Sequence, residues 1–366
     1  MKSHSEPTLA DVAKEAGVSL TTVSRVLNNR GYLSQTTKDR VGDAIAKLGY
    51  RPNQLARALH CKKSDTIGLI VPTVALPFFG ELAVEIENAL AEHGYRILIC
   101  NSMGHADRER DYLNLLVGNR VDGIISGAHN EALEEYQTIR MPLVTIDREL
   151  SPRIPNVRCN NETAGYDATR RLLDAGCHRP ALLTSRSHPK NLREHGYRRA
   201  LGEDGIEPVI LEVPFHTDPA IRQLAVNECL NSVAEEIDAV FATDDLAAAE
   251  VLEWARLHTL TVPDDLRIIG FDGTQAIHRA LPGLTTLRQP LDLIARKAVE
   301  ILLAQINGET GTEAHGLADA SDASHDHATG ESYEFPVTFI EGWLTFVCGT
   351  EVVQPALSDC DDRRVT

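Results

Sequence analysis

From Thr66 to Phe271 the sequence repeats one device: a short β-branched or apolar run, then an amphipathic helical stretch, then another run. The runs are Thr66–Val71, Arg96–Cys100, Gly123–Ser126, Leu143–Ile146, Asn156–Cys159, Ala181–Thr184, Val209–Val213, Ala239–Ala242 and Leu266–Phe271. Helical patterns such as Phe79–His93, Arg108–Gly118, Glu162–Ala175 and Asp244–Leu257 stand between them. Strands that return through a helix lie parallel, and a parallel sheet needs cover on both faces. So many units divide better into two doubly wound subdomains than one large sheet. Ligands of such sheets sit outside the carboxyl ends of the strands, which directs attention to the residues that follow each run.

The first 59 residues obey a different period. Thr8 followed by Asp11 is a capping-box pattern, and Leu9, Val12, Ala13 and Ala16 fall on one helical face. Gly17 permits a sharp reversal, and Ser19 can cap a second helix through Leu27. This is a helix-turn-helix layout, whose second helix suits the DNA major groove. Leu20, Thr21, Thr22, Ser24, Arg25 and Asn28 face outward from it, a set fitted to phosphate and base-edge contacts. Ser34 or Thr36 opens a third helix with Val41, Ala44, Ile45 and Leu48 inward, ended by Gly49. Asn53 can then cap a helix through Leu59 that is too short to hold in water without a partner surface.

Charge separates the same two regions. Residues 1–63 hold 11 basic and 5 acidic residues, or +6, and the remainder carries −23 of the net −17. A basic head on an acidic body implies that only the head meets phosphate. Seven scattered cysteines form no CxxC pair, which fits reduced thiols. No stretch approaches the roughly 20 apolar residues of a membrane span, and no export signal precedes the head. The expectation is a cytoplasmic protein without membrane contact. A transport-type sugar-binding protein is disfavoured, and so is an enzyme: no GxGxxG, P-loop, GxSxG or metal-ligand run is present, and no cofactor or metal is expected.

After the strands come Pro77-Phe78-Phe79, Asn101, Asp147-Arg148, Thr243-Asp244-Asp245 and Asp272-Gly273, with Arg193–Tyr197 and Phe215 beside them. Aromatic rings offer a flat face to a sugar, and Asp, Asn and Arg bond its hydroxyls. Asp244 and Asp245 serve equally well as helix caps. Residues 309–334 contain seven acids, three His and no Lys or Arg, the composition of a flexible acidic insertion. His325-Asp326-His327 has ligand-like spacing, but such a segment imposes no coordination geometry, and a solvated loop is the reading adopted. In the tail, residues 349–366, the stretch from Glu351 to Thr366 shows no heptad repeat, so a C-terminal coiled-coil tetramerisation helix is not supported.

The motifs LADVAKEAGVSLTTVSRVLNN and YRPNQLARAL in the head, with IGLIVP, LPFFGEL, VDGIISG, PLVTIDRE, LREHGYRRAL, VFATDDLAA, RIIGFDG and LTTLRQP in the body, resemble the lactose-repressor (LacI/GalR) family of bacterial transcription regulators. GYLSQTTKDRV, AHNEALEEY, TIDREL and IGFDGT are most similar to sucrose-operon repressors, with ribose regulators next. The resemblance implies an α/β chain: an all-α helix-turn-helix head (1–63, hinge helix 53–59) on a periplasmic-binding-protein-like body (66–340) of two doubly wound parallel-sheet subdomains. One spans about 66–160 plus 290–308, the other about 161–288 plus 335–348. It implies a homodimer on a pseudo-palindromic operator in a bacterial nucleoid, released by a small sugar, with a corepressor as the alternative sign. Groove reading falls to Leu20, Thr21 and Arg25, with Thr8, Ser19, Thr22, Asn28, Tyr32, Ser34 and Thr37 around them. Leu59 becomes a minor-groove wedge flanked by Asn53, Ala56 and Arg57. The implied effector contacts are Phe78, Phe79, Asp147, Arg148, Arg193, Phe215, Asp244, Asp272 and Gln289. Thr243 stands where the lactose repressor has Asn.

Overall fold

The computed structural model describes residues 7–27, 31–50, 63–128, 130, 133–214, 218–308 and 330–342, in two compact units that divide after Ser64. The predicted hinge helix, Asn28, Phe215, most of the acidic segment and the tail lie outside the described residues.

The described residues of the head unit form three helices: α1 (Leu9–Ala16), α2 (Leu20–Leu27) and α3 (Gln35–Leu48). Thr8 and Asp11 close the expected capping box, and these bonds to Thr8 hold the Asp11 carboxyl below its ordinary value. Gly17 takes the left-handed conformation, φ +62°, that ends α1. Arg40 of α3 donates to the Ala16 carbonyl at 2.5 Å, tying α3 to that turn. Of the two candidate caps, Ser34 is the one that opens α3, accepting the Thr37 N–H. Val12, Ala13, Ala16, Val23, Val41 and Ala44 form the core.

The body begins β1 (Thr66–Val71), α4 (Pro77–Ala91), β2 (Arg96–Asn101), α5 (Ala106–Gly118), β3 (Gly123–Ser126), α6 (Glu135–Thr138), β4 (Leu143–Ile146) and β5 (Asn156–Cys159). Then follow α7 (Asn161–Asp174), β6 (Pro180–Thr184), α8 (Leu192–Glu203), β7 (Val209–Glu212), α9 (Pro219–Asn231), β8 (Ala239–Ala242), α10 (Asp245–Leu257), β9 (Arg267–Asp272) and α11 (Gln275–Ala280). The last elements are β10 (Thr285–Arg288), α12 (Leu291–Asn307), β11 (Ser332–Phe335) and β12 (Thr338–Ile340). One six-stranded sheet runs β11-β5-β4-β3-β1-β2, the other β12-β10-β9-β8-β6-β7. All pairings are parallel except that of β12 with β10. α12 returns from the second sheet to pack on α4 and the first. Among the described residues no helix is long and apolar enough to cross a membrane.

Two expectations need correction. Residues 332–335, read as part of the acidic insertion and the start of the second subdomain, form β11 in the first sheet, in register Ser332↔Asn156 to Phe335↔Cys159. Only Thr338–Ile340 of the described terminus joins the second sheet. The open edge of β5 supplies backbone partners that a window dominated by acids conceals, and Arg158 pairs with Glu334 at 2.8 Å. β10, also absent from the predicted runs, is a buried four-residue segment, TTLR, with a single strongly apolar residue to mark it.

Candidate functional site

In the head, the sequence-predicted reading residues divide into caps and outward faces. Thr8, Ser19 and Ser34 each accept a main-chain N–H at a helix start. Ser19 also meets the Thr22 hydroxyl, and Ser34 the Thr37 hydroxyl, both at 2.9 Å. Val23 is buried in the core with α1 and α3, whereas Leu20, Thr21 and Arg25 are exposed and Ser24 is half-buried. Leu20 keeps half its surface exposed, and Tyr32, past the helix, is 95% exposed. Gly31 takes the left-handed conformation, φ +71°, in which a residue with a side chain is strained.

The body carries the second site. Phe78, Phe79, Asp147, Arg148, Arg193, Asp244, Asp272 and Gln289, all the described members of the predicted effector set, line one cavity of about 130 Å³. Phe78 and Phe79 open α4, packed edge to face with ring centroids 5.0 Å apart. Asp147 follows β4, Asp244 follows β8, Asp272 ends β9 and Gln289 follows β10. Both subdomains therefore meet the cavity at the carboxyl ends of their strands, as the fold class requires.

Arg193 is the centre of the polar wall. Its Nε donates to Asn161 Oδ1 at 2.7 Å, Nη1 to the Thr243 carbonyl at 2.9 Å and Nη2 to Asp147 Oδ1 at 3.3 Å. Its guanidinium also lies 3.9 Å from the Phe271 ring centroid. One side chain on α8 of the second subdomain thus holds the strand end of the first. Backbone contact between α7 and α8 makes this reach possible. A Cβ on Gly165 would meet the Arg193 carbonyl and one on Gly196 the Glu162 carbonyl.

Asp244 is the cap of α10, Oδ1 accepting the Ala247 N–H at 2.7 Å, and its Oδ2 accepts from Arg222 Nη2 at 2.9 Å on the cavity wall. Asp245 is buried behind it, accepting from Gly273 N–H at 2.8 Å and the Thr286 hydroxyl at 2.6 Å. Burial pushes Asp245 up to about 7. Burial likewise raises Asp272 well above the usual carboxylate range, opposed by the positive charge of Arg193. Asp147 and Asp272 both have positive φ, +62° and +107°, at strand ends. Such backbone persists only where neighbours over-determine it, and Gln289 supplies two bonds to Asp272, from Nε2 at 2.8 Å and from its N–H at 3.0 Å.

Sequence reasoning missed Arg222, which joins Asp244 to Glu250, and Asn161, which orients Arg193. Asn161 follows β5 as Asp244 follows β8, so the strand-end rule could have found it; Arg222 lies within α9, and no local pattern distinguishes it from a surface arginine. A wider chamber of about 270 Å³ adjoins the first, sharing Asp147, Arg148 and Arg193 and adding Arg186, His188 and Lys190.

A helix-turn-helix head before a two-sheet body with a polar cleft at its strand ends is the architecture of a ligand-responsive DNA-binding regulator. Residues 8–53 match the bacterial regulatory proteins of the lacI family, and residues 169–320 match a periplasmic binding protein-like domain. The sucrose operon repressor of Pediococcus pentosaceus is 44% identical over 304 residues, covering 82% of this chain and 93% of that one. The ribose operon repressor of Halalkalibacterium halodurans is 35% identical over 301 residues, covering 82% and 90%. The chain belongs to the lacI family of bacterial transcription regulators. A lac repressor dimer bound to operator and the anti-inducer ONPF shares the fold, with a TM-score of 0.76 at 24% identity over 93% of this chain and 99% of that one.

Proposed function

We propose that this regulator represses a sugar-utilisation operon of the sucrose type and leaves its operator when a small sugar occupies the body's cleft. The observation that carries this is the cleft wall itself: two aromatic residues beside Asp147, Asp244, Asp272, Arg148 and Arg193. Carboxylates accept from ring hydroxyls, arginines donate to ring oxygens, and an aromatic face packs on the sugar's C–H groups. The similarity to a sucrose operon repressor favours sucrose or its fructose moiety, and the similarity to a ribose operon repressor keeps ribose as the second reading.

In this scheme Leu20, Thr21 and Arg25 read the major groove, and Leu59 with Asn53, Ala56 and Arg57 engages the minor groove. Asn28, Tyr32 and the capping hydroxyls contact phosphate. Two heads are required for a pseudo-palindromic site. An apolar surface supports self-association: β2 is an edge strand with Leu98 and Ile99 each 39% exposed, and the adjoining α4 exposes Val84. The protein then acts in the cytoplasm, on nucleoid DNA, without catalysing a reaction.

The sugar binds the DNA-incompetent state more tightly, by a coupling of about 1–3 kcal/mol. A thermal-shift screen with sucrose, D-fructose, D-ribose and their phosphates, followed by operator titration with and without each binder, tests the proposal. One sugar is expected to raise the melting temperature and weaken operator binding by roughly 5- to 150-fold. A binder that strengthens operator binding instead establishes corepression, and one that leaves it unchanged removes the effector role.

A further inference from the structure

The geometry points to Thr274 as a specificity-determining contact of the effector site: its hydroxyl bonds one ring hydroxyl of the sugar. The assignment rests on the sugar reading above. Thr274 is 1% exposed, lines the same cavity as Asp272 and Gln289, and its Oγ1 has no hydrogen-bond partner among the described residues.

The usual reason for a threonine at this place is absent. Thr274 precedes α11 as its cap residue, yet its side chain accepts no N–H from that helix. A buried hydroxyl without a partner destabilises the unliganded fold, so another role must explain a hydroxyl rather than a methyl at this position.

The backbone around Thr274 is held on both sides. Gly273 donates its N–H to Asp245 and accepts from Arg288 Nε at 2.9 Å. The N–H of Gln275 is held at 2.8 Å by Glu81 of α4, in the other subdomain. The Thr274 carbonyl accepts from the His278 N–H at 2.9 Å. Thr274 is therefore fixed beside the cavity by a segment pinned to both subdomains. The chemistry also complements its neighbours. Asp244 and Asp272, when ionised, only accept, and the arginines only donate, whereas a hydroxyl does either. A neutral group of this kind discriminates between sugars by the position of one hydroxyl without adding charge to a wall that already holds several.

Thr274→Val keeps the shape and removes the hydroxyl; Thr274→Ser keeps the hydroxyl. Calorimetric titration of the full chain and both variants with sucrose, D-fructose and D-ribose is read beside the melting temperature without sugar. The expected result is about a tenfold or greater loss of affinity in Thr274→Val for the sugar that wild type binds, with Thr274→Ser within about threefold of wild type. Unliganded Thr274→Val should melt no lower than wild type, since it loses an unpaired polar group. Unchanged affinity in Thr274→Val overturns the assignment while leaving the sugar reading intact. A lowered unliganded melting temperature overturns it too, by revealing a partner within the protein. If wild type binds none of the three sugars, that reading falls and this assignment with it.

Discussion

The two sites of this chain use polar side chains in opposite ways. On the head, Leu20, Thr21 and Arg25 stand on the exposed side of an eight-residue helix, held only by the small core under Val23. In the cleft, Arg193, Asp147, Asn161, Asp244 and Arg222 already bond one another, and Asp272 is held by Gln289. An exposed reader gives up water for phosphate and base edges, so its affinity comes from new contacts and falls with salt. A prepaired wall must exchange internal bonds for ligand bonds, so its strength comes from preorganisation and its occupancy alters which groups hold the subdomains together. That difference makes the cleft suited to control and the head to recognition.

The most severe way to break the comparison is Arg193→Ala. It removes three hydrogen bonds and the contact with Phe271, and takes the guanidinium from beside Asp147. Sugar affinity should fall about a hundredfold or more while operator binding by the head persists, measured by calorimetry and gel shift. Loss of both together would show that the two sites are not separable. A smaller effect is expected from Arg25→Ala: operator affinity about ten- to a hundredfold lower, with sugar affinity at the wild-type value. A change in sugar affinity would place Arg25 outside a purely recognising surface.

The mildest test concerns pH. Asp245 is raised to about 7 in the folded protein, from 3.8, so between these values the folded state keeps a proton that the unfolded chain releases. Its contribution to stability is therefore lost as pH rises from about 4 to 7, by at most about 1.4 kcal/mol per pH unit, and is level above that. Urea midpoints at pH 5 and pH 7.5 should differ less in Asp245→Asn than in wild type. An equal difference in both would assign the slope to other groups. In the head, Asp11 is shifted downward by its bonds to Thr8, so its share has the opposite sign: present at neutral pH and lost as pH falls.

The elements legible in the sequence were those with a local cause. The capping box at Thr8, the left-handed Gly17 and the strand from Thr66 to Val71 fell where spacing and residue type put them. So did the strand ends that present Phe78, Asp147, Asp244 and Asp272, because a parallel sheet directs its ligand to those positions. The misses have one physical origin. β11 exists because β5 offers it an edge, and Ser332–Phe335 sits in a window whose acids mask the alternation of Tyr333 and Phe335. Arg222 belongs to the site because α9 brings it to Asp244, not because of its neighbours in sequence.

What the sequence determined by itself was the division of labour: a basic helical reader, an acidic two-sheet body, and the residue types at the strand ends, all properties of composition and short-range period. Only the tertiary structure decided which of those groups are already paired. It joined Arg193 to Asp147 across two subdomains, and packed α8 closely on α7 at Gly165 and Gly196. It also left the hydroxyl of Thr274 buried without a partner among the described residues. Pairing and burial depend on distances between residues far apart in the chain, and such distances are set by packing rather than by local propensity.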